Sequence, residues 1–240
     1  MWNLCDRTYK TKLEQIKNLD KERNMEKNFW LDKWKNKATG FHNQEINPFL
    51  VKYIQNNFFN LTATSKVFVP LCGKTIDIGY LLKQGFRITG CELSEIAVKA
   101  LFADLNINPI ITRHHDFTIY STIDNKIKVF VGDIFDLKVS DIGNIDLTYD
   151  RAALVALPPA LQLKYANHLI SITKNAPQLL ISLSFDPKII NSPPFSISNE
   201  NIIKYFSKHY SLEILEQDFQ LKGLKGKYEV TEICWSLTSL

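Results

Sequence analysis

The sequence predicts a doubly wound α/β fold: a mainly parallel seven-stranded sheet with helices on both faces and a C-terminal antiparallel hairpin. Three observations carry this. Apolar strand-like runs alternate with helix-like segments from residue 67 onward. The last two runs are joined by a short connector containing Gly223–Lys227, with no room for a crossover helix, so they must pair antiparallel. Finally, Val67–Glu95 (VFVPLCGKTIDIGYLLKQGFRITGCELSE) reads as strand, glycine turn, helix, glycine and strand, and the second strand ends in Glu92.

We read residues 1–240 as one domain, with an N-terminal helical segment over 1–60 and an α/β core over 67–240. Residues 1–28 are polar, with sparse apolar positions at Leu13, Ile16 and Leu19, and suggest a weakly amphipathic, partly frayed helix. Trp30 and Trp34, four apart, share a face if their stretch is helical. A helix is expected over Asn47–Phe58, with Pro48 in its first turn.

The first strand is Val67–Leu71, short and partly β-branched. A helix follows over Ile76–Lys83, stopped by Gly85, and then the strand Arg87–Leu93. Ser94 is positioned to cap a helix over Glu95–Leu105. Residues Asn106–Asn125 look irregular, with room for a short hairpin. Lys128–Leu137, Ile145–Tyr149 and Gln178–Phe185 are the next strands, and Ala160–Thr173 and Asn199–His209 the next helices, the latter opened by Ser198 or Asn199. Ser211–Phe219 and Glu229–Leu237 complete the sheet.

Composition narrows the function classes. A hydrophobic content of 45% suits a globular protein with a sizeable core. The net charge of +4 comes from lysines spread along the chain without a basic-aromatic repeat, so no nucleic-acid partner is expected. No run approaches a membrane span and the N-terminus lacks an apolar signal core, so a cytoplasmic protein without a membrane partner is expected. Cys5, Cys72, Cys91 and Cys234 form no C-x-x-C pair, which argues against a metal or redox motif and for reduced core thiols. Without a heptad or an obvious interface patch, a monomer is the default.

The turn after the first strand carries one glycine, Gly73, among bulky neighbours. A dinucleotide site uses G-x-G-x-x-G to seat a pyrophosphate on a helix N-terminus, and that pattern is missing. An acid 19 positions after Gly73, at a strand tip, can accept ribose hydroxyls. A cofactor with a ribose and no pyrophosphate fits, and S-adenosylmethionine is the commonest. The alternative is an ordinary crossover with a surface glutamate. Leu71, Glu92, Asp133 and Asp150–Arg151 all fall at carboxyl ends of expected strands, where such sheets bind ligands. A parallel sheet closed by a hairpin is the Rossmann-like architecture of class I methyltransferases.

At four blocks the chain resembles the thiopurine S-methyltransferases: FWLDKWKNKATGFH at Phe29–His42, VPLCGKTIDIGYLLKQGFRITGCELSEIAV at Val69–Val98, GDIFDL at Gly132–Leu137 and YDRAALVALPPALQLKYA at Tyr149–Ala166. A weaker fifth block runs from Leu183 to Ile197, with Ser192 where the family usually has glycine. The resemblance implies methyl transfer from S-adenosylmethionine to a small aromatic or heterocyclic thiol, or to selenium or tellurium species. It implies that Trp30 and Trp34 form a lid, that Leu71 contacts the cofactor, that Glu92 binds the ribose and that Asp133 and Ile134 flank the adenine. Arg151 would lie near the methionine part and the acceptor as the catalytic residue, and Phe41 would touch the substrate.

The residues themselves leave other roles open. Trp30 and Trp34 suit either a cation-attracting aromatic wall or a buried helix face. Asp133 suits either an adenine acceptor or a turn cap. Arg151 could pair with Asp150. His42, beside an aromatic residue, reads as a packed or capping histidine rather than a catalytic one. Pro193–Pro194–Phe195 would form a rigid wall, and Gln217–Lys227 matches no family segment. A cofactor-binding protein without catalysis and a nucleotide-linked oxidoreductase are the rival classes.

Overall fold

The computed structural model describes residues 21–240; residues 1–20, with Cys5 and most of the expected N-terminal helix, lie outside the described residues. Helix α1 runs over residues 21–35, so Trp30 and Trp34 are helical neighbours one turn apart. Helix α2 is Pro48–Gln55, with Pro48 in its first turn and Asn47 as its cap, accepting from the amides of Phe49 and Leu50. The core then runs β1 (Lys66–Pro70), α3 (Asp77–Lys83), β2 (Arg87–Glu92), α4 (Glu95–Asp104), β3 (Ile110–His114), β4 (Phe117–Ser121) and β5 (Ile127–Val131). It continues with α5 (Val139–Ile142), β6 (Leu147–Arg151), α6 (Pro159–Thr173), β7 (Gln178–Ser184), α7 (Asn199–Phe206), β8 (Tyr210–Leu224) and β9 (Tyr228–Ser239). Ser94 caps α4 and Ser198 caps α7, as their positions ahead of the helices suggest.

The sheet order is β3-β4-β5-β2-β1-β6-β7-β9-β8. Its centre, β5-β2-β1-β6-β7, is parallel throughout. The C-terminal pair β8–β9 is an antiparallel hairpin attached to β7, as the short connector requires. The count differs from the seven strands expected. The irregular stretch Asn106–Asn125 holds the hairpin β3–β4, and β4 pairs antiparallel with β5, giving nine strands among the described residues. Strand β3 is exposed throughout and shows no in-out alternation, so its sequence carries little strand signal.

Alternation along the strands builds a core on each face. Val67 and Val69 of β1, Ile88 of β2 and Val129 of β5 pack with Leu50, Ile78, Leu81 and Phe102 under α2, α3 and α4. Phe68, Cys91 and Phe130 point the other way, onto Tyr165, Leu169 and Phe206 of α6 and α7. Cys72, Cys91 and Cys234 are buried free thiols. No helix among the described residues is long and apolar enough to cross a membrane.

Strand order reverses at β1, which has β2 on one side and β6 on the other. The crevice beyond that point is where a doubly wound sheet receives a ligand. Two non-glycine residues there adopt left-handed backbone: Leu71 (φ 45°), just after β1, and Ala152 (φ 61°), just after β6. Such conformations are uncommon without glycine and concentrate at functional sites.

Candidate active site

A cavity of about 790 Å³ opens at these strand ends. It is lined by Trp30, Trp34, Phe41, Leu71, Glu92, Asp133, Ile134 and Arg151 together. The residues to which the resemblance assigns roles thus meet the same cavity, whereas Asp150, also at a strand end, and Phe195 do not line it.

Glu92 ends β2 and is buried. Its Oε2 accepts the Gly73 amide at 2.8 Å and its Oε1 the Ser94 amide at 2.8 Å. Burial pushes its carboxyl above the ordinary range, opposed by the amides of Ser94, Gly73 and Leu93. Each oxygen has accepted one backbone proton and keeps a lone pair for a further donor. Gly73 has φ 51°, a conformation that favours glycine, and a Cβ there would stand a tight 3.3 Å from the Trp34 ring.

Asp133 follows β5, whose Val131 pairs with Glu92, so the two carboxylates occupy adjacent strand ends. Asp133 caps a short 3-10 turn by accepting the Phe135 amide at 3.0 Å on Oδ1. Its Oδ2 is taken by two cations from α1: Arg23 Nε at 2.6 Å and Lys27 Nζ at 3.2 Å. Arg23 also reaches Asp136 at 2.6 Å and lies over the Phe135 ring. Burial alone would raise the Asp133 carboxyl, but Arg23, the Phe135 amide and Lys27 outweigh it and hold it below the ordinary range. The turn-cap reading of Asp133 is therefore correct, and it leaves one lone-pair site for a ligand. Sequence reasoning did not find Arg23 or Lys27, because they sit in a mixed-charge run that resembles a solvated face.

Trp30 and Trp34 both meet Phe41 edge-on, at 5.2 and 5.7 Å between ring centroids. Trp34 is buried while Phe41 is 41% exposed. His42 is wedged between Trp34 and Phe41 beside Gly73, and its Nε2 has no hydrogen-bond partner among the described residues. Burial, then the charges of Lys74 and Arg151, push its pKa down to about 4, so the ring is neutral near pH 7. His42 is thus packed, as its setting suggested, yet it also lines the cavity.

Arg151 does not pair with Asp150. Successive strand residues face opposite sides of the sheet. Asp150 turns inward to accept the Tyr165 hydroxyl at 2.7 Å and the Leu154 amide at 3.1 Å, and burial raises its pKa to about 6. Arg151 instead has Nη1 3.9 Å from Asp77 Oδ2. Asp77 is buried and also accepts the Tyr149 hydroxyl and the Asn47 amide, each at 3.0 Å. Asn47 in turn offers Nδ2 to Glu232 Oε1 at 3.4 Å. This network joins the α2 cap, α3, β6 and β9 at one end of the cavity. Asp77, Asn47 and Glu232 were missed in the sequence, where Asn47 was read only as the first residue of a helix.

The Gln217–Lys227 segment proves to be part of the wall. Gln220, Gly223, Leu224 and Lys225 line the cavity, as do Pro193 and Pro194. Lys225 Nζ donates to Ser192 Oγ at 3.1 Å, tying the hairpin to the proline loop. Among the described residues no group of three or more His, Cys, Asp or Glu side chains is arranged to hold a metal ion.

A family model described as thiopurine S-methyltransferase (TPMT) matches residues 25–237. The chain is 42% identical over 215 residues to a thiopurine S-methyltransferase of Teredinibacter turnerae, covering 89% of this chain and 98% of the relative. It is 40% identical to that of Gluconobacter oxydans, covering 88% and 94%. Among solved structures, its fold is similar to magnesium protoporphyrin IX methyltransferase (ChlM) from Synechocystis with bound SAH (TM-score 0.60, 12% identity, covering 89% and 100%). It is also similar to the 1,6-didemethyltoxoflavin-N1-methyltransferase of Burkholderia thailandensis with bound S-adenosylhomocysteine (TM-score 0.58, 10% identity, covering 89% and 87%).

Proposed function

The chain belongs to the thiopurine S-methyltransferase family, and from that premise we propose that it methylates small aromatic or heterocyclic thiols, and related selenium or tellurium nucleophiles. It is an enzyme of the methyltransferase class and its cofactor is S-adenosylmethionine. The observation that carries the acceptor assignment is the cavity end around Arg151. A guanidinium shares the cavity with apolar Val155, Leu157 and Pro194, which suits a soft, flat nucleophile that gathers negative charge as it reacts.

The residues fit the cofactor. Glu92 keeps free lone pairs beside Gly73, as a ribose diol needs, and the wall formed by Trp30, Trp34 and Phe41 suits a sulfonium. Aromatic faces attract a cation by about 0.5–2 kcal/mol. In our reading Leu71 touches the cofactor, Asp133 and Ile134 flank the adenine, and α1 with α2 forms a lid over the core. Phe41, the exposed member of the aromatic group, reaches the acceptor. We read the protein as a cytoplasmic monomer meeting only small molecules; its lysines, dispersed along the chain, favour no nucleic-acid partner.

S-adenosylmethionine, when bound, supplies an electrophilic methyl group with a neutral leaving group. The protein's share is then alignment and exclusion of water, and orientation can supply on the order of 7–11 kcal/mol. Arg151 steadies the acceptor as a thiolate. The test is a methyl-transfer assay across thiophenols, thiopurines, selenite and tellurite with mass-spectrometric detection of products. Methylated thiols are expected; binding of S-adenosylhomocysteine with no methylated sulfur, selenium or tellurium product would overturn the acceptor assignment.

A further inference from the structure

A neutral thiol must lose a proton when its sulfur is methylated, and Arg151, a permanent cation, cannot take one. We propose that Glu232 is the proton acceptor of the reaction, a role that rests on the thiol reading above. In the balanced step the acceptor's S–H bond breaks and its proton passes to a Glu232 oxygen. The sulfur electron pair forms the new S–CH3 bond, and the methyl carbon's bond to the cofactor sulfur breaks, its electrons staying on that sulfur.

Four observations single out Glu232. It lines the cavity from β9, opposite Leu183 of β7, at the end where Arg151, Asp77 and Asn47 meet. Its only hydrogen bond among the described residues is the long 3.4 Å one from Asn47 to Oε1, so Oε2 is open to a donor. The charged groups acting on it are Arg151 from β6, Asp77 from α3 and Asp218 from β8, with the hydroxyl of Tyr149 from β6 and the thiol of Cys234 on its own strand also near. Burial pushes its carboxyl above the ordinary range, Asp218 and Asp77 add to that, and Arg151 and Asn47 oppose it. A base strengthened in this way suits a weakly acidic thiol. Finally, the other cavity bases are less suited. Both Asp77 oxygens are engaged. The basicity of His42 is depressed to about 4. Glu26 also keeps one oxygen, Oε2, without a partner among the described residues, but it lies on α1 beside Arg23 and Trp30 and outside the network of Arg151, Asp77 and Asn47.

The experiment compares two thiols at one neutral pH: a thiophenol with electron-withdrawing groups, fully ionised in solution, and an arylmethanethiol, largely protonated. For Glu232→Gln, kcat on the protonated thiol should fall about 100-fold or more, and on the ionised thiol at least about 10-fold less steeply. Equal losses on both would overturn the proposal while leaving the thiol reading intact; no turnover of either thiol by the wild type would overturn the thiol reading itself. A second measurement needs no variant. The wild-type rate on the protonated thiol should rise along a limb well below that thiol's own pKa. A rate that instead tracks the thiol's solution ionisation would equally overturn the role of Glu232.

Discussion

Arg23 and Asp133, 110 residues apart in sequence, are joined by a 2.6 Å charge-assisted hydrogen bond that clamps α1 onto the end of β5. The helix carrying the aromatic wall is thereby anchored to the carboxylate read as flanking the adenine.

Arg23→Gln should loosen that clamp. Hydrogen exchange over residues 21–35 is expected to accelerate roughly five-fold, corresponding to about 1 kcal/mol for a partly exposed ion pair. High salt should act in the same direction on the wild type. Because Asp133 is held below its ordinary pKa, the clamp's contribution is complete above about 3.9 and is lost only as pH falls through the lowered value. Unchanged exchange in the variant would remove the clamp from the account.

Glu92→Ala should weaken S-adenosylhomocysteine binding about 100-fold or more by calorimetry. It deletes the ribose acceptor and strands the amides of Gly73 and Ser94. Unaltered affinity would sink the ribose assignment.

Arg151→Ala should lower kcat at least about ten-fold more than it lowers S-adenosylhomocysteine affinity, since its charge matters most when the acceptor sulfur is anionic. Parallel losses would make Arg151 a cofactor-binding residue only.

Asp150 supplies a stability signature away from the cavity. Its folded pKa of about 6 lies above the unfolded value of about 3.9, so between these the native state holds the extra proton. Stability from this group should therefore decline as pH rises from about 4 to 6, by on the order of 1–3 kcal/mol, and level off above. Urea unfolding across that range should show a flatter profile in Asp150→Asn than in the wild type.

Much of this architecture was legible because local signals agreed with the fold. Val67, Phe68 and Val69 alternate between two cores, Ser94 and Ser198 precede their helices, and the Gly223–Lys227 connector forces a hairpin. The cavity residues were legible where a strand end and a chemical group coincide, as at Glu92, Asp133 and Arg151. What stayed hidden depends on side chains meeting across the fold. Arg23 looked like one more solvated charge until Asp133 lay beneath it, and Glu232 looked like a strand residue until β9 docked beside β7. The hairpin for which Asn106–Asn125 left room could not be given strand bounds, because Ile110–His114 is exposed throughout and lacks alternation.

Leu71 and Ala152, the left-handed residues after β1 and β6, set different tolerances for sequence drift. Glycine at 152 removes only a methyl group and relieves a conformation costing about 1–2 kcal/mol, so Ala152→Gly should spread freely through a mutational library. Valine or isoleucine there should vanish from it. Glycine at 71 would relieve the same backbone but forfeit a side chain packed against the core. The turn beyond β6 is therefore open to drift toward glycine, whereas the turn beyond β1 is held at leucine by its packing.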